Sequence, residues 1–204
     1  MATVRPSSSG AVISNYKISF HARKPLRSVL SELRGGTDGI NSIVLHHNFA
    51  VIRTDRFVYT PNFSGFVNIT KLKRLSDAQA AIDFIRDLLR LPTGSGSEYK
   101  VDNITASGTF GHRVPLHKIR QFLREHPGYP ASCSYGANYF SGATVRYSGG
   151  GTANIFATGA YTIIGAKSEE QVRSVYLQAR DLALSLLLPR STAAAARAET
   201  NPEA

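Results

Sequence analysis

With 204 residues and 42% hydrophobic content, the chain is long enough to bury the core of one large domain or of two small ones. Its formal net charge of +10 indicates a polyanionic partner, either a nucleic acid or an anionic membrane surface, because basic side chains release counterions from phosphates. No apolar run approaches the roughly 20 residues of a membrane-spanning helix, and the first residues lack the apolar centre of a signal peptide, so we expect neither a membrane-embedded nor a secreted protein.

The first half of the chain is predicted to combine short strands with two helices. Residues 1–10 are Ser-rich and expected to be disordered, and strand character runs from 11 to 22. Pro25 suits a first helical turn, and the apolar spacing after it predicts a short helix that ends at Gly35 and Gly36. Further strands are predicted over residues 42–45, 49–54, 57–60 and 65–70.

A longer helix is predicted to close this half. Ser76 followed by Gln79 has the spacing of a capping box, in which both side chains satisfy backbone N–H groups of the first helical turn. Apolar residues then recur at helical spacing from Ala81 to Leu89. Residues 93–99 are rich in Gly and Ser and read as a linker.

The second half is predicted to repeat that order. A strand over 101–110 precedes a short helix opened by Pro115, and a hairpin that turns at 148–151 leads into the stretch 154–171. That stretch reads as a strand, a tight turn at Gly159, a second strand and a helix capped by Ser168 and Gln171. The helix carries one apolar face from Val172 to Leu186.

Two landmarks show that the halves are copies of one unit. The pair Pro25 and Pro115 and the pair Ser76 and Ser168 are each separated by about 90 positions. We therefore predict an α+β fold with two tandem repeats, 11–92 and 100–190, followed by a disordered tail over 191–204. Together the repeats would form one continuous curved antiparallel sheet, with the helices on its back.

The second repeat resembles the TATA-box-binding protein (TBP) family. The resemblance is carried by Ile155 and Phe156, by Gly159, and by the run Gly165-Ala166-Lys167-Ser168-Glu169-Glu170-Gln171. It extends over roughly residues 14–188 and is weaker in the first repeat, whose closing stretch 65–70 is more similar to divergent members encoded by large DNA viruses. The resemblance implies the two-repeat saddle of that family.

The resemblance also implies a mode of binding. Double-stranded DNA would lie with its minor groove against the concave sheet and be bent by Phe140 and Phe156, which would enter a base step as wedges. Arg146 would hold a phosphate, and Arg53 stands at the matching place in the first repeat. The implied groove-lining residues are Asn103, Thr105, Thr144, Asn154, Thr162, Ile164, Asn68 and Thr70.

The residues themselves support part of this interpretation. Phe140 and Phe156 lie nearly symmetrically about the turn near Ser148, so an antiparallel hairpin would place them side by side. By strand alternation Thr144 and Arg146 share the face of Phe140. The alternative is that the two rings are ordinary core and that the polar strand residues are merely solvated.

The first repeat departs from the family pattern. Matching Arg53 to Arg146 places His47 at the first wedge position, and matching Gly65 to Gly159 places Asn62 at the second. Phe49 and Phe63 each lie a residue or two away, and Phe63 is kept as a candidate contact. The counterpart of Asn103 is either Asn15 or, if Phe20 is aligned with Phe110, Ile13.

From these observations we expect a DNA-binding protein of transcription initiation that acts in the nucleus, or at the replication site if it is viral. Initiation factors or RNA polymerase subunits would dock on the convex helices, and the free protein could form a homodimer through its concave face. No membrane partner is expected. The alternatives are an assembly module that has kept the saddle but no longer bends DNA, and an appended substrate-binding domain of a nucleic-acid enzyme.

No enzymatic site is predicted. Cys133 is the only cysteine, which excludes an intramolecular disulfide and a Cys-based zinc site. The histidines lack metal-ligand spacing, and His46 and His47, being adjacent on a strand, point to opposite faces. We therefore expect no catalysis, no metal and no cofactor.

Overall fold

The structure is a computed structural model that describes residues 10–33, 38–136 and 138–187. The helix end predicted at Gly35 and Gly36 lies outside these residues, as do residues 188–190 of the second repeat and the C-terminal tail. Of the predicted N-terminal tail the structure describes only Gly10, whose carbonyl accepts a hydrogen bond from Tyr161 Oη at 3.2 Å. No helix in the described part is long and apolar enough to cross a membrane.

The described chain folds into ten strands and four α-helices. In the first repeat these are β1 (Val12–His21), α1 (Arg27–Glu32), β2 (Ser42–Leu45), β3 (Ala50–Arg53), β4 (Val58–Pro61), β5 (Phe66–Leu72) and α2 (Ala78–Leu88). In the second repeat they are β6 (Lys100–Thr109), α3 (Leu116–Glu125), β7 (Ala131–Ser134), β8 (Gly142–Tyr147), β9 (Thr152–Phe156), β10 (Ala160–Ala166) and α4 (Glu169–Ser185).

All ten strands belong to one antiparallel sheet, in the order β2-β3-β4-β5-β1-β6-β10-β9-β8-β7. The order reads the same from either edge, because each repeat contributes five strands in the same arrangement and β1 pairs with β6 at the centre. The predicted tandem repeat and the single antiparallel sheet are therefore confirmed. Strand β7, a short and weakly hydrophobic segment, had no counterpart among the predicted strands.

One face of the sheet is covered by the helices. Ile18 and Ile69 of the first repeat and Ile104 and Ile163 of the second are fully or almost fully buried there. In α4 the predicted apolar face is buried except for Tyr176, which is half-buried. The residues that alternate with these core positions form the other face, here called the open face, which no described helix covers.

The start of α2 differs from its prediction. Residues Leu75–Asp77 form a 3-10 turn, α2 begins at Ala78, and no side chain caps it. Gln79 bonds instead to Asp83 Oδ1 at 2.9 Å, so the capping box at Ser76 does not form. Asp77, which pairs with Arg56 and Arg74, occupies the N-terminal end in its place.

The start of α4 agrees with its prediction. The N–H of Gln171 donates to Ser168 Oγ at 3.1 Å, and Gln171 Oε1 accepts the N–H of Lys167 at 2.7 Å. In the first turn of α4, Glu169 accepts a hydrogen bond from Tyr16 Oη, which links β1 of the first repeat to the last helix. Burial, followed by this hydrogen bond, raises the pKa of the Tyr16 phenol, which therefore keeps its proton and remains the donor.

Candidate nucleic-acid interface

Two asparagines lie on the central strands of the open face in matching environments. Asn15 Oδ1 accepts the N–H of Lys71 at 2.7 Å, and Asn103 Oδ1 accepts the N–H of Gly165 at 2.6 Å. Lys71 and Gly165 both have positive φ, 68° and 81°, and both lie where the last strand of their repeat loses its regular register.

Two lysines give the same alignment of the repeats. Lys73 Nζ donates to the carbonyl oxygen of Ser14 at 2.8 Å, and Lys167 Nζ donates to that of Asp102. These carbonyls directly precede Asn15 and Asn103. Asn15 is therefore the structural counterpart of Asn103, while Ile13 packs against the core.

The asparagine oxygens are tied to the protein, and this orients the amides. A backbone N–H can only donate, so the atom it meets on Asn15 or Asn103 must be the carbonyl oxygen. The NH₂ groups are left for other partners. One N–H of Asn103 donates to Thr105 Oγ1 at 3.0 Å, which leaves the Thr105 hydroxyl hydrogen free to donate in turn.

The remaining groove-lining candidates lie on strands that flank this centre. Thr162 pairs with Asn154 across β10 and β9, and Asn154 pairs with Thr144 across β9 and β8, where Thr144 Oγ1 donates to Asn154 Oδ1 at 2.9 Å. Ile164, which is 38% exposed, follows Thr162 on the same face. In the first repeat Asn68 and Thr70 of β5 hold the places that Thr162 and Ile164 hold in β10.

Phe140 and Phe156 lie side by side at the far end of the second repeat. Their ring centroids are 5.7 Å apart with an angle of 64° between the planes, an edge-to-face contact. Phe140 itself is in the loop before β8, where its N–H donates to the Gly136 carbonyl at 3.1 Å, and not in the strand as the hairpin prediction assumed. It remains 41% exposed.

Gly142 makes room for this pair. A Cβ at that position would lie 2.9 Å from Cε1 of Phe140 and 3.1 Å from Cε1 of Phe156. Gly142 is also the cross-strand neighbour of Phe156. The two rings therefore nest over a backbone that carries no side chain.

The first repeat has no pair of phenylalanines at the matching place, where Phe49 instead stacks on His46 with 4.4 Å between ring centroids. The bridge between Phe49 and Asn62 corresponds to the pairing of Gly142 with Phe156. Asn62 thus stands where Phe156 stands in the second repeat, as the alignment on glycines predicted. The ring of Phe63 packs toward α1, with the Arg27 guanidinium 5.4 Å from its centroid, so the structure does not bring Phe63 to the other candidates on the open face.

Another aromatic residue of the first repeat is exposed on the open face. Phe66 opens β5, is 50% exposed, and meets the ring of His21 edge-on with 4.9 Å between centroids. Neither residue was among the predicted contacts. Strand alternation over residues 65–70 puts Phe66 on the face of Asn68 and Thr70, and this is the signal that could have identified it.

The open face is cationic. Arg53 and Arg146 are exposed and occupy matching positions at the ends of β3 and β8. Across the ten described strands a single carboxylate occurs, Asp102, and it lies at a register irregularity of β6. Anions therefore meet little repulsion from the sheet itself.

The described residues contain no group of three or more His, Cys, Asp or Glu that could hold a metal ion. The one cysteine, Cys133, is half-buried in β7, and burial raises the pKa of its thiol. The polar candidate residues of the open face carry amide, hydroxyl and guanidinium groups.

Comparisons with known proteins agree with the geometry. A family model described as "Transcription factor TFIID (or TATA-binding protein, TBP)" matches residues 98–182, which lie almost entirely in the second repeat. Among solved structures, Methanococcus jannaschii TBP is similar with a TM-score of 0.66 and 20% sequence identity, over 86% of this chain and 98% of that one. A search of curated proteins found no match. The chain therefore has the TBP fold over both repeats, and its second repeat is similar to the TBP family model.

Proposed function

We propose that the protein binds the minor groove of A·T-rich double-stranded DNA through its open face, bends it, and acts in transcription initiation. The observation that carries the proposal is the fixed orientation of Asn15 and Asn103, whose oxygens are held by backbone N–H groups. Their NH₂ groups are the parts that a ligand on the open face would meet.

A surface that presents hydrogen-bond donors suits the minor groove of A·T-rich DNA. In the minor groove A·T pairs present only acceptors, the adenine N3 and thymine O2, whereas G·C pairs add the guanine N2 amino donor. The amides of Asn15 and Asn103 and the hydroxyl of Thr105 would pair with the acceptors, and a guanine amino group would meet another donor. We therefore expect a preference for A·T at the centre of the site.

The second repeat supplies the means of bending. Phe140 and Phe156 form an exposed apolar edge beside a hydrogen-bonding surface, which fits the way in which minor-groove proteins unstack a base step and kink the duplex. Arg146, near the opposite end of β8 from the two rings, would hold a phosphate, and Arg53 would do so at the matching place in the first repeat.

The helix-covered side of the sheet would be available for docking of protein partners. DNA on the open face would leave the solvent sides of α1 to α4 accessible, and initiation factors or RNA polymerase subunits are the partners we propose there. These roles place the protein in the nucleus, or at a viral replication site if the gene is viral. In the absence of DNA, the exposed apolar residues of the open face could also pair two copies as a homodimer.

Binding and bending can be tested together. A duplex with an A·T-rich centre, labelled with a donor and an acceptor dye at its ends, is titrated with the wild type and with the Phe140→Ala/Phe156→Ala double variant at low and moderate salt. We expect the wild type to bind and to shorten the end-to-end distance, and the double variant to lose most of that shortening. Replacing the central A·T pairs by G·C pairs should weaken wild-type binding by roughly tenfold or more.

One other function has an observation in its favour. The first repeat lacks the paired phenylalanines, with His47 and Asn62 at those places, which suits an assembly module that has kept the saddle and no longer bends DNA. That function would be supported if the wild type bound DNA without shortening it and with no preference for A·T.

A further inference from the structure

Phe66 is not part of the hydrophobic core. It is 50% exposed on the open face, whereas its neighbours in β5, Val67 and Ile69, are fully buried on the helix side. A phenylalanine left this exposed on a sheet that no described helix covers is a candidate contact residue, because such apolar surface is costly in water.

The backbone of Phe66 is held on both sides by Asn62. The N–H of Phe66 donates to Asn62 Oδ1 at 2.9 Å, and its carbonyl accepts the N–H of Asn62 at 2.8 Å. Asn62, which stands where Phe156 stands in the second repeat, therefore anchors Phe66.

The ring of Phe66 is braced by His21. The rings meet edge to face at 4.9 Å, and His21 is itself held by the N–H of Arg23, which donates to its Nδ1 at 2.9 Å. Gly65 leaves room beside this pair, since a Cβ there would lie 2.5 Å from the Lys24 carbonyl oxygen and 3.2 Å from the His21 ring. A wedge must be rigid in order to unstack bases, and these contacts fix Phe66 as the mutual contact fixes Phe140 and Phe156.

Phe66 lies one strand nearer to the centre of the sheet than Phe156 does. Counting outward from the β1 and β6 pair, Phe66 is on the second strand of its repeat and Phe156 on the third. Adjacent strands are about 4.8 Å apart, and stacked base pairs are about 3.4 Å apart. The shift therefore corresponds to about one base step.

We propose that Phe66, braced by His21, is the wedge of the first repeat, and that it enters the DNA about one base step nearer to the centre of the site than the Phe140 and Phe156 pair does. This inference rests on the proposed function. The two kinks would then be placed asymmetrically about the centre, which would give the protein a direction on DNA without any difference in base contacts.

The test locates unstacked bases along an asymmetric A·T-rich site. A series of duplexes carries one 2-aminopurine each, a base that becomes more fluorescent when it is unstacked, and each duplex is saturated with the full-length wild type, Phe66→Ala or Phe156→Ala. Phe66→Thr is measured in parallel because threonine suits a strand better than alanine. Val44→Ala is the control, since Val44 is also exposed on the open face of the first repeat but has no aromatic brace.

We expect two fluorescent steps with the wild type and with Val44→Ala. The Phe66 variants should lose one of these steps and bind roughly tenfold more weakly, and Phe156→Ala should lose the other. The step lost with Phe66 should lie nearer to the centre of the protected site, as mapped by hydroxyl-radical cleavage.

Failure of the inference can be told from failure of the proposed function. If the wild type unstacks a single step that vanishes in Phe156→Ala, or if the Phe66 variants keep both steps, the inference is overturned while DNA binding and bending stand. If the wild type does not bind the duplexes, both are overturned.

Discussion

Single residues on the open face are fixed by bonds to the backbone, and this limits what they can recognise. Asn103 shows it best, because one end of its amide is held by Gly165 and the other reaches Thr105. A small chemical change at this position can therefore alter recognition without disturbing the fold.

Asn103→Asp makes such a change. The carboxylate keeps an acceptor for the Gly165 N–H but replaces the NH₂ donor by a negatively charged oxygen. Losing the donor and placing a charge near phosphates should weaken binding to A·T-rich DNA by about ten- to a hundredfold, with little change in the urea midpoint.

Gln178→Glu is the matched control for that variant, since it makes the same amide-to-carboxylate change on the helix side, where Gln178 bonds to Ser174. Fluorescence anisotropy with one labelled duplex compares the two. Equal losses of affinity would show that Asn103→Asp acts through net charge alone, and the role proposed for the Asn103 amide would be wrong.

Gly142 offers a second test at this scale. Its φ is not positive, so Gly142→Ala acts through the added Cβ, which would displace the rings of Phe140 and Phe156. We expect duplex shortening to fall clearly while the protein stays folded. Gly149→Ala is the control, because a Cβ there meets no atom within 4 Å. Unchanged shortening in Gly142→Ala would mean that the packing of the ring pair is not needed for bending.

The candidate site could be predicted from the sequence only where its residues lie close together along the chain. The two phenylalanines around one hairpin could be paired by symmetry, and their rings do meet. The choice between Asn15 and Ile13 could not be made, because it depends on an irregular register between strands distant in sequence. Strand alternation could place Phe66 on the open face, but its contact with His21 depends on the pairing of β5 with β1 and could not be predicted.

At the scale of elements, the two helix starts show why equal sequence signals gave different results. Ser168 precedes the helix directly, and its extended backbone lets Oγ accept the Gln171 N–H. Ser76 has the same spacing to Gln79 but lies inside a 3-10 turn. Strand β7 was missed because its Ala-Ser-Cys-Ser sequence alternates over only four residues and has only small apolar side chains, and it pairs with β8 as an edge strand.

This difference predicts different costs for two similar substitutions. Ser168→Ala removes the side-chain cap of α4 and should lower the free energy of unfolding by about 1 kcal/mol. Ser76→Ala removes no capping bond of α2 and should change it by less than about 0.5 kcal/mol. Urea denaturation followed by circular dichroism measures both. A Ser76→Ala loss as large as that of Ser168→Ala would contradict the start of α2 described above.

At the scale of the whole molecule, the symmetry of the sheet and the asymmetry of its side chains act together. The strand order is the same from both edges, so the two arginines Arg53 and Arg146 are placed alike toward the two ends. The aromatic residues are not placed alike. Electrostatic attraction to DNA would thus be shared by the two repeats, while the proposed kinks would distinguish them.

The salt dependence of binding separates these contributions. Each phosphate contact adds about 0.9 to the slope of log K against log salt concentration, because one counterion is released. Arg53→Gln and Arg146→Gln should each lower the slope by about 0.9, and the double variant by about 1.8, whereas Phe140→Ala/Phe156→Ala should weaken binding with the slope almost unchanged.

Arg180→Gln provides the control for these slopes. Arg180 lies in α4, where it pairs with Asp181 at 3.4 Å, so this variant loses the same charge on the helix side of the sheet. Anisotropy titrations at several potassium chloride concentrations should give it the wild-type slope. If all three arginine variants lowered the slope equally, DNA binding would depend on the net charge of the protein and not on the arginines of the open face. The placement of the duplex on the open face, and the wedge roles that depend on it, would then have to be abandoned.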